Sequence, residues 1–182
     1  MSFSFHRGSL ALDFAGTVGA RASAAPEERL PDAEALRRWL SEAGLLEDAR
    51  PGDADLAAAR SLREAIFRVF SDAIDGRRID AGALAIVNRA AGGLRLGAPR
   101  IDPLLKVRWV TEAPVTLALG RIAADAMERL SREPERLGRC AREDCGALLL
   151  SRSRSERRRW CSMELCGNRA KVAAYRARAK GK

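Results

Sequence analysis

Apolar residues recur at three- and four-residue intervals through most of the first 131 residues, which predicts a mainly helical domain. The longest stripe begins at Asp53 or Asp55 and ends at Gly76. Shorter helices are predicted after the capping residues Asp32, Asp80 and Thr111, because aspartate and threonine side chains accept hydrogen bonds from a first helical turn. The apolar positions of these helices are Leu36, Trp39 and Leu40; Leu56, Ala59, Leu62, Ile66, Val69, Phe70 and Ala73; Leu84, Val87 and Ala91; and Val115, Leu119, Ile122, Ala126 and Leu130.

A few segments predict strands. Gly8 to Val18 is almost wholly apolar and predicts a buried strand that turns at Gly16, with a helix start as the alternative. Leu94 to Leu96 and Val107 to Val110 predict a hairpin across a loop that contains Pro99 and Pro103. Residues 1–131 therefore read as an α+β domain, mainly helical with a few short strands.

The composition changes at Arg132, which predicts a separate small module over 132–182 and centred on about 138–180. Pro134 and Gly138 predict a connector, and Ala147 to Leu150 is a short apolar run. An Arg/Ser loop follows over Ser151–Arg159. The stretch from Ser162 to Lys180 is rich in Ala, Arg and Lys and predicts a final helix.

Charge separates the same two parts of the chain. The net charge of +9 lies wholly in residues 132–182, with 15 Lys and Arg against 6 Asp and Glu, while 18 of each cancel in residues 1–131. Such an asymmetry favours a neutral globular domain joined to a basic module with an anionic partner. A solvated basic tail is the alternative, but the charge coincides with the cysteines.

The four cysteines follow the pattern Cys140-x4-Cys145-x15-Cys161-x4-Cys166, which predicts a metal site. Zinc takes four thiolates on a tetrahedron, with one pair from a short knuckle and the other from a helix start. Because four protein ligands leave no open position for substrate, the Zn²⁺ should be structural. The alternatives are an iron–sulfur cluster, two disulfides in an oxidising compartment, or free core thiols.

The cations around the cysteines exceed what a zinc–tetrathiolate of charge −2 requires, which favours contact with nucleic acid. Arginine and lysine contact phosphates, and Asn168 is suited to an adenine edge. The candidate nucleic-acid-binding residues are Arg152, Arg154, Arg157, Arg158, Arg159, Asn168, Arg169, Lys171, Arg176 and Arg178. Trp160 is expected to pack on the apolar run of the module, with base stacking as the alternative.

Three polar residues within apolar stretches are candidate ligand contacts in the first domain: Asp13, Arg63 and Asn88. The alternative is a structural hydrogen-bonded pair between Asp13 and Arg63. Little supports an enzyme, because the single histidine, His6, lies near the chain start and no phosphate-binding glycine loop is present. A carboxylate-based enzyme with its site in the first domain is the alternative.

The stretch from Arg139 to Arg178 resembles the CGNR zinc-finger family, named for the tetrapeptide found here as Cys166-Gly167-Asn168-Arg169. Arg158-Arg159-Trp160-Cys161 and Arg169-Ala170-Lys171-Val172 belong to the same match. Upstream, Gly8 to Val18 and Leu62-Arg63-Glu64 resemble the ABATE domain, which accompanies this finger in bacterial proteins described as stress-induced transcriptional regulators. One departure is Gly16, which stands where the opening motif of that domain has an asparagine. The resemblance implies a treble-clef-like finger and a DNA-binding regulator.

We therefore expect a bacterial transcriptional regulator. Its finger would bind DNA, and its first domain would bind a small-molecule effector, form a homodimer, or both. The alternative is a finger that docks a protein or RNA. No apolar run reaches the ~18 residues that span a bilayer, and no signal peptide is evident, so a soluble cytoplasmic protein is expected.

Overall fold

A computed structural model describes residues 3–46, 50–94, 98–101, 103, 105, 107–110, 114–153 and 155–180. Mainly helical structure fills the first two thirds of the chain. The helices are α1 (Leu10–Ala15), α2 (Ala33–Glu42), α3 (Asp53–Ile74), α4 (Ala81–Gly92), α5 (Pro114–Arg132) and α6 (Asn168–Lys180), with a 3₁₀ turn at Pro134–Arg136 and a π-helical turn at Met163–Gly167. The strands are β1 (Val18–Gly19), β2 (Glu27–Glu28), β3 (Ala98–Ile101), β4 (Val107–Val110), β5 (Leu137–Arg139) and β6 (Leu148–Leu150).

The opening apolar segment contains a helix, which confirms the alternative prediction for it and not the buried strand. The Ser9 hydroxyl accepts a hydrogen bond from the Leu12 amide and so caps α1. Five of the six residues of α1 are buried. A helix that is buried on nearly all sides has no polar face, so its sequence lacks the apolar periodicity that predicts a helix. The helix ends at Gly16, as the predicted turn required.

The remaining helix predictions on described residues are confirmed, with one change of face. Asp32 and Asp80 cap α2 and α4, and Gly44 and Gly76 follow α2 and α3 with φ of +68° and +64°. The inward face of α4 holds Ala83 and Val87. Leu84 is 39% exposed, so its place in the predicted stripe was wrong. The predicted cap Thr111 lies outside the described residues.

The predicted hairpin forms between β3 and β4, with Leu94 outside the strand, while Arg95 and Leu96 of the predicted first strand lie outside the described residues. β3 and β4 are antiparallel, and Ala98 pairs with Val110 while Ile101 pairs with Val107. Pro99 therefore lies in a strand and not in the loop. A two-stranded sheet accepts proline because each strand has an unpaired edge.

One apolar core joins the first domain to the cysteine module. Trp39, Phe14 and Phe70 are fully buried at its centre, as predicted for Trp39, whereas the side chain of Trp109 is outside the description. Helices α1, α3, α4 and α5 pack around this centre, and β5 and β6 pack on α1 and α3. The strand residues that complete the same core are Leu137, Leu148 and Leu150.

The β5–β6 hairpin is therefore part of the first domain's core as well as of the second module. Gly138, predicted to lie in a connector, is in β5 opposite Leu149. Along β6 the side chains alternate: Leu148 and Leu150 enter the main core, while Leu149 packs with the cysteines. The sequence suggested two separate bodies because the polar residues from Arg132 to Arg136 interrupt the apolar pattern.

Across the described residues, no helix is both long enough and apolar enough to cross a membrane.

The close crossing of α4 and α5 provides a test of this packing. A Cβ at Gly120 would lie 2.9 Å from the Leu94 amide nitrogen and 3.2 Å from the Ala90 carbonyl oxygen. Since neither backbone group can swing away, we expect Gly120→Ala to lower the free energy of unfolding by about 1–3 kcal/mol in urea titration. Gly92→Ala is the control: nothing lies within 4 Å of its Cβ position, so it should stabilise the protein by about 0.5–1 kcal/mol. Equal effects of the two variants would contradict the close crossing.

Candidate metal centre and the basic surface around it

The four cysteines lie together, with all their Sγ atoms within 4.8 Å of one another. Three of the Sγ–Sγ separations are 3.7 Å (Cys145–Cys161), 3.4 Å (Cys161–Cys166) and 3.7 Å (Cys145–Cys166). A tetrahedron with Zn–S bonds of ~2.3 Å has edges of ~3.8 Å, so this donor set fits a zinc ion. All four residues are buried and none forms a disulfide.

A tight turn supplies the first cysteine pair. The Cys140 amide donates to the Ala147 carbonyl and the Cys145 amide donates to the Arg142 carbonyl, which folds the intervening chain back on itself. Gly146 completes the turn with φ of +62°, a conformation that side chains with a Cβ rarely adopt. This turn directs both thiols of the pair to the same side.

A capped helix start supplies the second pair. The Ser162 hydroxyl accepts from the Leu165 amide, and the Ser162 carbonyl accepts from the amides of both Cys166 and Gly167. The first turn is therefore π-helical, whereas the sequence predicted a regular helix from Ser162. Four residues separate Cys161 from Cys166, and this wider turn lies between them. It brings their sulfur atoms to 3.4 Å from each other.

Crowding of the sulfur atoms changes their acidity. A hydrogen bond from Cys161 lowers the pKa of Cys145 to about 5, and the same interaction raises the pKa of Cys161. Burial raises the pKa of Cys166 to about 11. One thiolate is therefore favoured at neutral pH, but ionising all four requires a cation between them.

Backbone hydrogen bonds tie this centre to the N-terminal segment, residues 3–9, and to the chain after α1. The Leu150 amide donates to the Arg7 carbonyl, and the Arg21 amide donates to the Cys145 carbonyl. Arg158 donates to the His6 carbonyl at 2.7 Å and to the Cys161 carbonyl at 2.9 Å. Arg158 thus connects the N-terminal segment to the cysteines through hydrogen bonds. Its position in a run of arginines did not indicate this role.

The other candidate nucleic-acid contacts on described residues are at the surface. Arg159 is exposed and lies 4.9 Å from the centre of the Trp160 ring, while Trp160 packs against the cysteine cluster, as predicted. Arg154 is outside the described residues. The exposed candidates are Arg152, Arg157, Arg159, Asn168, Arg169, Lys171, Arg176 and Arg178.

Helix α6 presents a polarised outer surface. Its Ala170 and Ala173 share a cavity with Trp160 and the first cysteine turn, so this side of the helix faces the module. At 100° per residue, the opposite side carries Asn168, Val172 and Tyr175. Tyr175 is 72% exposed and Val172 is 48% exposed. Neither residue was predicted from the sequence to belong to the binding surface, although two apolar side chains among the cations of a helix indicate such a surface.

Two rows of cations border this outer ridge. Arg169 and Arg176 lie on one side of it, and Lys171 and Arg178 lie on the other. All four are exposed. The arrangement can neutralise two separated lines of negative charge while the ridge between them contacts a less charged surface.

The structure does not bring the three candidate ligand residues of the first domain together, and the proposed Asp13–Arg63 pair was wrong. The Asp13 carboxylate accepts from the Arg7 amide at 2.8 Å. Arg63, only 4% exposed, forms two hydrogen bonds of 2.6 and 2.7 Å to Glu28 and another to Glu64. Asn88 is exposed on α4. The three residues lie on three different helices, α1, α3 and α4, so they do not form one ligand site.

Two family models match the chain. Residues 8–133 match ABATE, described as "Putative stress-induced transcription regulator". Residues 136–179 match the CGNR zinc finger. No curated protein matches the sequence. The second match agrees with the donor geometry, so the four cysteines form a structural zinc site.

Replacing one ligand tests this site. Cys161→Ser removes a soft ligand from the centre, so we expect the purified protein to lose most of its one equivalent of zinc. The two cysteine turns should lose their structure with the metal, which changes the near-ultraviolet circular dichroism, while β5 and β6 stay in the main core and most of the helical signal of α1–α5 persists. Ser155→Ala, a change at an exposed loop serine, is the control. Full zinc content and an unchanged module in Cys161→Ser would exclude the site.

The buried Asp13 carboxyl predicts a specific pH dependence. Burial raises the pKa of Asp13 to about 6, above ~3.9 in an unfolded chain. Between these values the folded state binds more protons, so the contribution of Asp13 to the free energy of unfolding falls as the pH rises. Against Asp13→Asn, which cannot titrate, wild type should lose about 2 kcal/mol between pH 4 and pH 7. Parallel stability curves for the two proteins would contradict the raised pKa.

Proposed function

The chain belongs to the ABATE family and carries a C-terminal CGNR zinc finger, and on this premise we propose that it is a transcription regulator whose finger binds duplex DNA. In the proposed complex α6 lies in the major groove. Cations of the Arg/Ser loop and of α6 contact phosphates on both sides of the groove. The metal holds the finger's fold, while all ligand positions are filled by the protein, so we propose a binding protein and not an enzyme.

The exposed surface of α6 is the observation that carries the proposal. The helix has 13 residues, a length of ~20 Å, and the major groove admits a helix of this width. Arg169 and Arg176 face one groove wall in this arrangement, and Lys171 with Arg178 face the other. Phosphate contacts from both rows would fix the position of the helix and give most of the affinity.

Residues on the ridge of α6 are suited to the base edges. Asn168 can donate to and accept from an adenine, and Val172 can pack on a thymine methyl group. Tyr175 lies on the same side of α6 and is exposed, so its ring and its hydroxyl are also available for contact with bases. This arrangement predicts some sequence preference on top of non-specific electrostatic binding.

Regulation by the first domain completes the proposal. A cleft of about 320 Å³ lies between α3, α4 and α5 and is lined by Leu62, Ile86 and Leu119 with the polar Asp55, Arg89 and Thr116. Mostly apolar clefts with a few polar groups are typical small-molecule sites, and this cleft replaces Asp13, Arg63 and Asn88 as the effector site that we propose. A homodimer would add the affinity and the half-site spacing that one small finger lacks.

Charge removal on the finger tests DNA binding. We expect the quadruple variant Arg152→Gln, Arg157→Gln, Lys171→Gln, Arg176→Gln to bind random duplex DNA much more weakly in fluorescence anisotropy. The slope of log affinity against log salt should decrease by about one unit for each removed cation that contacts a phosphate. All four residues are exposed, so helical circular dichroism and zinc content should stay unchanged.

The matched control removes the same charge from the first domain, through Arg37→Gln, Arg50→Gln, Arg78→Gln and Arg121→Gln, of which Arg37 is half-exposed and the other three are exposed. It should bind DNA like the wild type. Equal losses in both variants would mean that net charge alone attracts DNA. Absence of binding at low salt by the zinc-loaded wild type would overturn the proposal, and tighter binding to duplex RNA would reassign the finger to RNA.

A further inference from the structure

Arg7 is a buried arginine whose guanidinium has few partners. It is 7% exposed, although it lies in the N-terminal segment near the chain start. Among the described residues, its guanidinium makes one long hydrogen bond, 3.4 Å from Nη1 to the Ser4 carbonyl, and its Nε is buried without a partner. The Asp13 carboxylate accepts from the Arg7 backbone amide and not from its side chain. Such a charge is costly to bury unless other negative charge lies close by.

Gly16 provides the space in which this guanidinium lies. A Cβ at position 16 would be 2.2 Å from Cζ of Arg7 and 2.3 Å from its Nη1. Gly16 has φ of −76° and ψ of 0°, so its backbone does not require glycine. The absence of a side chain at position 16 therefore leaves the space that the Arg7 guanidinium fills.

The guanidinium lies beside the zinc ligands. Arg7 shares a cavity of about 220 Å³ with Cys145, Cys161 and Cys166, and Arg169 of the finger lines the same cavity. Burial lowers the pKa of Arg7, while the charges of Asp13, Cys161 and Cys145 act in the opposite direction. Arg7 remains protonated, since arginine does not lose its proton in proteins.

The arginines around the cavity differ in whether a carboxylate pairs with them. Two lining arginines have carboxylate partners, since Arg29 pairs with Glu27 and Arg142 pairs with Asp144. Arg7, Arg158 and Arg169 form no ion pair within 4.0 Å in the part of the chain that the structure describes. Together they offset the charge of −2 on a zinc–tetrathiolate and the charge of −1 on Asp13.

We infer that Arg7 is the buried counter-charge of the zinc centre, so that the N-terminal segment supplies part of the environment that holds the metal in the finger. Groups around the ligands of a metal site tune its affinity. Arg7 acts here without touching the metal, through Coulomb attraction that solvent screens little at a buried site. By linkage, undocking of the segment weakens zinc binding, and loss of zinc loosens the segment.

Zinc affinity, measured by competition with a chromogenic chelator at fixed pH, tests this inference in the full-length protein. Arg7→Gln removes the charge but keeps a polar side chain, and we expect zinc to bind at least tenfold more weakly. Gly16→Ala displaces the guanidinium without changing any charge, so it should also weaken zinc binding severalfold. Arg7→Lys keeps the charge and should stay within about threefold of the wild type. Arg121→Gln, the same charge loss at an exposed position of α5, should have no effect.

The variants distinguish an effect of the positive charge of Arg7 from an effect of its packing. Wild-type zinc affinity in a folded Arg7→Gln protein overturns the inference, and so does an Arg7→Lys loss as large as that of Arg7→Gln. If Arg7→Gln does not fold, weaker binding in Gly16→Ala together with retention in Arg7→Lys supports the inference, and wild-type affinity in Gly16→Ala overturns it. None of these readouts depends on DNA.

Discussion

Four sulfur atoms within 4.8 Å of one another are the constraint on which the rest of the finger depends. Such thiols cannot all ionise unless a cation lies between them, and the resulting zinc centre still carries two negative charges. The backbone must therefore hold two cysteine pairs rigidly, which the Gly146 turn and the π-helical turn after Ser162 do. Positive side chains must also lie near the site, and the chain has placed arginines from two different regions there.

The shared core gives this local constraint a wider consequence. Because β6 directs Leu148 and Leu150 into the main core and Leu149 toward the cysteines, the finger cannot shift without disturbing α1 and α3. The N-terminal segment adds the hydrogen bond from the Leu150 amide to the Arg7 carbonyl. A change in packing within the ABATE domain therefore has a direct physical path to the finger, as the proposed regulation by the first domain requires.

The arginines of the finger region divide into two groups by what they contact. The first group forms hydrogen bonds within the protein: Arg158 donates to the His6 and Cys161 carbonyls, Arg136 donates to Ser151, and Arg139 donates to Ser71. The exposed cations of α6 make the second group, and they border a ridge that includes Tyr175. Net charge alone overstates the cationic surface that is free to meet a partner.

The sequence by itself determined the local features. The caps at Asp32 and Asp80, the glycine helix ends and the cysteine spacing act over a few residues, so their consequences can be read from the chain directly. Burial on nearly all sides removed the periodicity of α1, so the sequence could not separate a helix from a strand there.

Only the tertiary structure decided the long-range features. Arg7 lies beside Cys161, Arg158 reaches His6, Arg63 pairs with Glu28 and not with Asp13, and one core spans both family matches. Each of these depends on residues distant in sequence, and the type of a charged residue does not state which opposite charge will lie next to it. Arg7 is buried near the zinc ligands, whereas Arg176 is exposed to solvent. This difference between two arginines arises only when the chain folds.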